Sequence, residues 1–593
     1  SKATELNPNY ADGFNNLGIL LQDQGRFEDA IVSYAKALAI KPDYVEALNN
    51  MGVALHEHGK LTDAIRTYKK ALAFKSDYAE AHYNMGNAFK DQGELDGAVK
   101  AYKKALAIKP DYVEALNNIG ATFKEQGKVD EAIGAFTNAV SLDPNNIGAF
   151  YNMGICLKQQ RKLEKAVEAY NKAVNIKPDH TEAHYNMGAA LQEQGKLDTA
   201  IEAYTKALAI KPDYAEAYCN IGVALADQGK LEQAVEAYNK ALAIKPDYAE
   251  AYCNMGLALS DQGKPEEAIT AYNKSLAIEP NYADAHCNMG YALLAKKDFL
   301  QGFKHHEWRW KTKKRVDYFL KSVKPMWNGE KNQRVLVWGE QGIGDEIMFS
   351  SVIFELYAAS LQVLVKCDER LIPLFKRSFP ADIGYFSKSE PVPKDKYDFH
   401  IPVGSLPLTF RKSTECFRKN ASGFLKCDMA KAERIKTLLT HKHGGKIIGI
   451  SWKTKSALKN ASNRDIKLAE LATVLDRPNN QLLCLQYGDV FDEIEAVRRD
   501  FGINVIQFGE IDNMRDIDGL ASLIMACDQI VSTTNATVHL AGALGAKVTA
   551  LLPFSPRWIW GTGSESLWYE SVTPIKQKSH NNWDNVLENL RSI

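Results

Sequence analysis

The sequence predicts an all-α helical solenoid followed by an α/β region of two lobes. Two observations predict it. Asn recurs at 16, 50, 84, 118, 152, 186, 220, 254 and 288, every 34 residues, and each is followed two positions later by Gly, from Gly18 to Gly290. Pro stands ten residues before each of these glycines, from Pro8 to Pro280, except where Ser76 replaces it. A fixed period of this length is the mark of stacked helical pairs. Beyond residue 333 the period is gone, and short apolar runs alternate with helical patterns, as in parallel sheets covered on both faces.

Within one repeat the elements follow from local chemistry. Tyr214-Ala215-Glu216 opens a helix that runs to about Asp227, and Gln228-Gly229-Lys230 is the turn. A second helix runs from Leu231 to about Ile244, and Pro246 cannot continue it. Gly229 suits a helix end that needs positive φ. Gly222 and Ala234 mark where the helices touch, with Tyr238 and Leu242 filling the space beside them. The positions Gly222, Ala234, Ala241 and Pro246 resemble the tetratricopeptide repeat, over about half of the chain. The last repeat departs from the pattern. Its second helix, Phe299 to about Lys311, carries Gly302 and then His305, His306, Glu307, Trp308, Arg309 and Trp310, which reads as a cap packing on the next domain rather than as a metal site.

Asn is a mediocre helix former, because its side chain competes for backbone groups. Nine of them in mid-helix need an offset. One reading is hydrogen bonding between repeats. The other places the carboxamides on a concave face, gripping the backbone of an extended peptide, with Tyr83, Tyr151 and Tyr185 as weaker neighbours. These asparagines resemble the ladder in the repeats of O-linked N-acetylglucosamine transferase, and that resemblance implies a protein or peptide partner in the repeat groove.

Composition bounds the rest. The chain has 593 residues, too many for one core, and 73 basic residues balance 73 acidic ones. The zero formal charge argues against a general binder of nucleic acid or anionic membrane. No apolar run reaches the roughly 18 residues that span a bilayer, and no secretory signal is visible. A cytoplasmic protein is expected. The chain opens at Ser1 inside a repeat, so it reads as a fragment with its N-terminus upstream. Cys219, Cys253 and Cys287 recur at one helical position and read as small packing residues; repeat stacking holds equivalent positions on the order of 10 Å apart, too far to share a metal. No metal and no cofactor are expected.

The expected organisation is a repeat array over 1–311, a linker over 312–333, a first lobe over 334–440 and a second lobe over 446–593, with a break at His441 to Gly445. Strands are expected at Arg334–Gly339, Gln362–Cys367, Lys446–Trp452, Gln481–Gln486, Asn504–Phe508, Gln529–Ser532 and Lys547–Leu552. Ligands bind beyond the carboxyl ends of such strands. Two loops there stand out. Gly339-Glu340-Gln341-Gly342-Ile343-Gly344-Asp345-Glu346 lacks both the phosphate-loop and the dinucleotide glycine patterns, which disfavours an NTPase or a nicotinamide dehydrogenase. Gly342 and Gly344 let backbone approach a ligand, and Asp345 stands at a helix start, where it either caps or acts. The second loop, Ser532-Thr533-Thr534-Asn535-Ala536-Thr537-Val538-His539, joins a strand to a helix and offers hydroxyls and free N–H groups that suit a diphosphate.

Together Glu340–Phe349 (EQGIGDEIMF), Gly449–Lys453 (GISWK), Ser462–Leu471 (SNRDIKLAEL), Leu485–Val490 (LQYGDV), Leu520–Leu552 with its VHLAGALG core and Ser566–Ser571 (SLWYES) resemble heptosyltransferase-like glycosyltransferases of the two-lobed GT-B type, fused behind tetratricopeptide repeats. The layout is similar to O-linked N-acetylglucosamine transferase and to bacterial flagellin glycosyltransferases. The resemblance implies an inverting, metal-independent transfer from a nucleotide sugar to a protein acceptor. It makes Asp345 the base and Lys453 the phosphate partner, and it puts Gln486, Thr533, Thr534, Asn535, Thr537 and His539 around the nucleotide. Heptosyltransferases usually have Asp-Thr where this chain has Thr534-Asn535, a departure that bears on the donor. Two other functions compete: an enzyme of cell-surface glycan assembly whose repeats bind partner proteins, and a non-catalytic scaffold with a decayed transferase region.

Overall fold

The computed structural model describes residues 9–313, 315, 318–340, 342–417, 423–454, 464–560, 565–580 and 582–591. Ser1, Pro8, Gln341, Ser462 and Asn463, which fall in the stretches named above, lie outside the described residues. The chain divides into two compact units, residues 1–224 and 225–593. The division falls inside the repeat array, and within the second unit the last repeat shares a core with the sheets.

In the first unit antiparallel helix pairs follow one another, for example Val45–Glu57 with Leu61–Phe74. The glycine of each repeat has a steric cause. A Cβ built on Gly52 would lie 2.4 Å from the ring of Tyr68, and one on Gly86 would lie 2.5 Å from Tyr102. Both tyrosine rings are fully buried, so the two helices close over an aromatic face that leaves no room for a methyl group. Gly120 meets Phe136 in the same way. The turn after the first helix of each pair takes a left-handed residue. It is Gly59 at φ 81° and Gly93 at φ 82°, whereas Arg161 accepts that conformation at φ 61°.

The Asn ladder links neighbouring repeats. Asn50 Nδ2 donates to Asn15 Oδ1 (3.2 Å) and Asn84 Nδ2 to Asn49 Oδ1 (3.1 Å). Asn118, Asn186 and Asn220 donate to the hydroxyls of Tyr83 (3.1 Å), Tyr151 (3.0 Å) and Tyr185 (3.0 Å). The tyrosines considered for the groove are therefore partners of the ladder. Asn152 differs: it donates to Gly148 O and accepts from Lys124 Nζ. From Asn50 to Asn220 the ladder side chains are half-buried; Asn16 is exposed.

The second unit holds the later repeats and two parallel sheets. Its ladder residue Asn254 is half-buried, and Asn288 Nδ2 donates weakly to Cys253 Sγ at 3.8 Å. The first sheet has the order β3-β2-β1-β4, with β1 (Arg334–Trp338), β2 (Gln362–Cys367), β3 (Gly384–Ser387) and β4 (Phe399–Pro402). The second has the order β10-β9-β8-β5-β6-β7, with β5 (Lys446–Ser451), β6 (Asn480–Cys484), β7 (Val505–Ile506), β8 (Gln529–Thr533), β9 (Val548–Leu552) and β10 (Val572–Lys576). Three strands were not expected. β3 and β4 are four residues each, and β10 contains Pro574, which an edge strand tolerates because its outer side needs no ladder donor.

The helix Met429–His443 packs with the second sheet, through Lys431 to Asp516 (3.4 Å) and Lys436 to Asp528 (2.9 Å). Gly444 and Gly445, both at positive φ, only turn the chain into β5. One apolar core runs from Leu294, Phe299 and Phe303 of the last repeat through Val335 and Val337 of β1 to Ile530 and Val548 of the second sheet. Among the described residues no helix is long and apolar enough to cross a membrane.

Gly52→Ala should destabilise the chain by about 1–3 kcal/mol through overpacking against Tyr68. Gly134→Ala should be neutral or stabilising by up to about 1 kcal/mol, because it lies in the helix Val129–Leu142 with open space at its Cβ. Urea unfolding followed by circular dichroism separates the two; equal shifts would refute the steric account.

Candidate functional site

A cavity of about 430 Å³ opens at the carboxyl ends of β1, β5 and β8. Its position follows from topology. In the first sheet β1 lies between β2 and β4, and in the second β5 lies between β6 and β8. At such reversals the connections leave in opposite directions and open a crevice. Glu340, Gly342, Gly344 and Asp345 line the cavity from the loop after β1, Thr454 and Arg464 from beyond β5, and Thr534, Asn535, Ala536 and His539 from the turn after β8. Arg557, Arg315, Tyr318 and Trp310 complete it.

Asp345 is the third residue of the helix Ile343–Ser350, whose N-cap is Gly342, so it does not cap that helix. Its Oδ1 lies 3.3 Å from Arg557 Nη1. Gly342 has extended backbone and open space at its Cβ. Gly344 is tighter: a Cβ there would come within 3.2 Å of the His539 ring. That glycine lets the helix Ile343–Ser350 pack on the helix Ala536–Ala543, which brings the two loops to one cavity.

The turn after β8 is organised by Asn535. Its Oδ1 accepts from Thr537 N (3.0 Å), capping the helix, and its Nδ2 donates to Ser451 Oγ (2.7 Å) and Lys453 O (3.2 Å). Asn535 thus joins the ends of β8 and β5. Around it Thr533, Thr534 and Thr537 each bury a hydroxyl without a hydrogen-bond partner among the described residues. Of these Thr534 lines the cavity. Three unpaired hydroxyls beside a helix N-terminus, where backbone N–H groups point outward, suit an acceptor-rich ligand.

Two expected ligand residues are used otherwise. Lys453 Nζ pairs with Glu493 and does not line the cavity, although its neighbour Thr454 does. Gln486 is buried, and its Oε1 accepts from Ser451 Oγ (3.0 Å), Trp452 N (2.9 Å) and Lys453 N (3.0 Å). It clamps the chain leaving β5, and its Nε2 donates to Lys453 O (3.1 Å) and Tyr487 O (3.4 Å). His539 does line the cavity. Burial holds its pKa down to about 3, with the Arg557 charge adding to the effect, so the ring stays neutral. It shares a hydrogen bond of 3.0 Å with the Tyr569 hydroxyl and stacks on Trp560.

The positive side of the cavity comes from residues to which the sequence reading gave no role. Arg464 is half-buried; desolvation and the nearby Arg557 charge lower its pKa. It lies inside SNRDIKLAEL, a stretch that supports the resemblance but whose arginine carries no local signature. Arg557 follows β9 in a connection without a recognisable pattern. Glu340 is held from the last repeat: Arg309 donates to it through Nε (2.8 Å) and Nη2 (2.9 Å), and Gly404 N adds a third bond (2.8 Å). Both side chains of this pair are essentially fully buried. The last-repeat histidines serve packing. His305 contacts His286 (2.8 Å) and His306 contacts Arg309 (3.3 Å). Among the described residues no group of three or more His, Cys, Asp or Glu could hold a metal ion.

Comparison with known proteins supports the repeats. A family model described as the Cilia and flagella-associated protein 70 C-terminal domain matches residues 10–243, and a TPR repeat model matches 224–263 and 258–297. The helical pairs are tetratricopeptide repeats. Protein FlbA of Caulobacter vibrioides is 29% identical over 279 residues, 44% of this chain. The chain spans about half the length of that relative, 46%. Among solved structures, YrrB, described as a TPR protein with an unusual peptide-binding site, is 28% identical over 31% of this chain and 95% of its own, with a TM-score of 0.29. A MamA protein is 31% identical over 29% of this chain and 94% of its own, with a TM-score of 0.28.

Arg309→Met should cost about 3–5 kcal/mol, because it strands the Glu340 carboxylate in the interior; a small change in the urea midpoint would mean that the pair is dispensable. His539 carries a pH signature. Between its ordinary pKa of 6.5 and about 3, the unfolded chain takes up a proton that the folded chain refuses. Its contribution to stability therefore falls as pH falls through that window, by up to about 1.4 kcal/mol per unit. His539→Gln should flatten the pH dependence of unfolding between pH 6 and 4, and an unchanged slope would contradict the neutral ring.

Proposed function

We propose that this chain is a glycosyltransferase that moves a sugar from a nucleotide-linked donor to a hydroxyl of a protein acceptor, and that the repeats hold the acceptor. The observation that carries the reading is Asp345 in one cavity with Arg464 and the N-terminus of the helix Ala536–Ala543. Breaking the bond between an anomeric carbon and a diphosphate needs a base for the incoming hydroxyl and cations for the leaving group. Asp345 takes the hydroxyl proton, the freed oxygen attacks the anomeric carbon, and the carbon–oxygen bond to the diphosphate breaks with inversion. Arg464, the backbone amides after Asn535 and the helix dipole receive the departing negative charge. The Thr534 hydroxyl donates to the same anion. The heptosyltransferase-like motifs of the two lobes support the same reading.

Acceptor capture rests on the ladder. Its half-buried asparagines repeat along one helical position, and Asn186 and Asn220 each keep a carbonyl oxygen that the inter-repeat bond does not use. Such a row serves an extended peptide through its backbone N–H groups, largely without regard to sequence.

Two variants test the roles separately. Asp345→Asn should lower transfer by about 10²–10⁴-fold with nucleotide binding retained; unchanged turnover removes Asp345 as the base. The double change Asn186→Ala with Asn220→Ala should raise KM for the protein acceptor and leave hydrolysis of the nucleotide sugar unchanged. If acceptor kinetics do not move, the repeats serve other partners.

A further inference from the structure

Arg557 is placed oddly for a structural residue. Its guanidinium is about two-fifths exposed, and among the described residues its one hydrogen-bonded partner is Asp345, through a single contact of 3.3 Å. Arg334 and Arg377 by contrast hold carboxylates in a two-pronged grip, Arg334 on Asp398 at 2.9 and 2.7 Å and Arg377 on Asp518 at 2.5 and 2.9 Å. Arg557 uses one of its five donors on Asp345 and lines a cavity that Arg315 and Arg464 also line. Among the described residues three guanidinium groups and two carboxylates line it, and one of those carboxylates, Glu340, is already gripped by Arg309. The cavity therefore has an excess of cation. The residue proposed to take a proton is tied to part of that excess, with its Oδ1 against the Arg557 guanidinium.

We propose that Arg557 exchanges partners: it holds Asp345 while the cavity is empty and turns to the phosphate oxygens of the ligand when it fills, so that arrival of the nucleotide-linked donor withdraws the guanidinium from the Asp345 carboxylate. This rests on the reading of the cavity as a nucleotide-sugar site. A diphosphate outcompetes one carboxylate oxygen for a guanidinium because it offers paired oxygens and more charge to the planar fork. The consequence is order. The acceptor hydroxyl meets the Asp345 oxygen that Arg557 held only after the donor is seated. Binding is coupled in both directions, since any ligand that draws Arg557 away from Asp345 is itself weakened by Asp345.

A double-mutant cycle on the full chain tests this by titration calorimetry, with inorganic pyrophosphate and a panel of nucleoside diphosphates as probes. Asp345→Asn should tighten binding by about fivefold or more, a coupling of ordinary size, and Arg557→Gln should weaken it. The decisive arm is Asp345→Asn in the Arg557→Gln background, which should bind no more tightly than Arg557→Gln alone. Plain repulsion between Asp345 and the ligand would instead tighten binding equally in both backgrounds and would overturn the exchange. If wild type binds nucleoside diphosphates and Asp345→Asn leaves the affinity unchanged, the exchange is wrong while the donor site stands. If neither wild type nor any variant binds a probe, the donor site itself is wrong.

Discussion

The buried ion pair between Arg309 and Glu340 is the contact on which the second unit depends. Taking two charges out of water is costly, and the cost is met only when geometry and additional bonds satisfy both groups. Here they do. Glu340 accepts three hydrogen bonds, and Arg309 also reaches Glu307 (2.6 Å) and Ser405 Oγ (2.8 Å). His306, in contact with this cation and fully desolvated, is held neutral. The network ties the end of the repeat array to the loop after β1 and to the turn after β4. Glu340 itself lines the cavity, so the scaffold of the site is held in part by a repeat. That accounts for the cluster of His, Trp and Arg in the last repeat, where the others carry Ala and Lys.

A different constraint governs the repeats. Gly18, Gly52, Gly86, Gly120, Gly154, Gly188 and Gly256 each face a buried ring, and each ladder residue from Asn50 to Asn220, Asn152 excepted, spends its amide donor on the preceding repeat. The array is thus specified twice, by a steric fit inside each pair of helices and by polar links between pairs. Neither device depends on the sequence of a bound peptide, which leaves the exposed side of the ladder open to evolve toward a partner.

Much of this was legible in the sequence, for physical reasons that also mark the limits. Period and turn chemistry act locally, so the helices from Ala215 to Asp227 and from Leu231 to Ile244 could be placed to the residue. Long buried strands such as Gln362–Cys367 announce themselves by apolar runs, whereas β3 is short and β10 carries Pro574 at a sheet edge. The loops that meet at the cavity were legible because glycine, hydroxyl and helix-start patterns are local. Lys453 and Gln486 show the limit. The resemblance implied ligand contacts for both, and only the tertiary structure shows the neighbours they meet, Glu493 for one and the chain leaving β5 for the other. Arg464 and Arg557 were missed because an isolated arginine in a loop declares its role only once the fold brings it to a cavity.

The central claim is that the cavity at the ends of β1, β5 and β8 receives the diphosphate of an activated sugar. A crystal structure of the full chain with a bound nucleoside diphosphate tests it most directly. The account predicts phosphate density against Arg464 and the backbone amides following Asn535, within reach of the Thr534 hydroxyl. Density for the nucleotide at any other place, with that cavity holding only solvent, would contradict it.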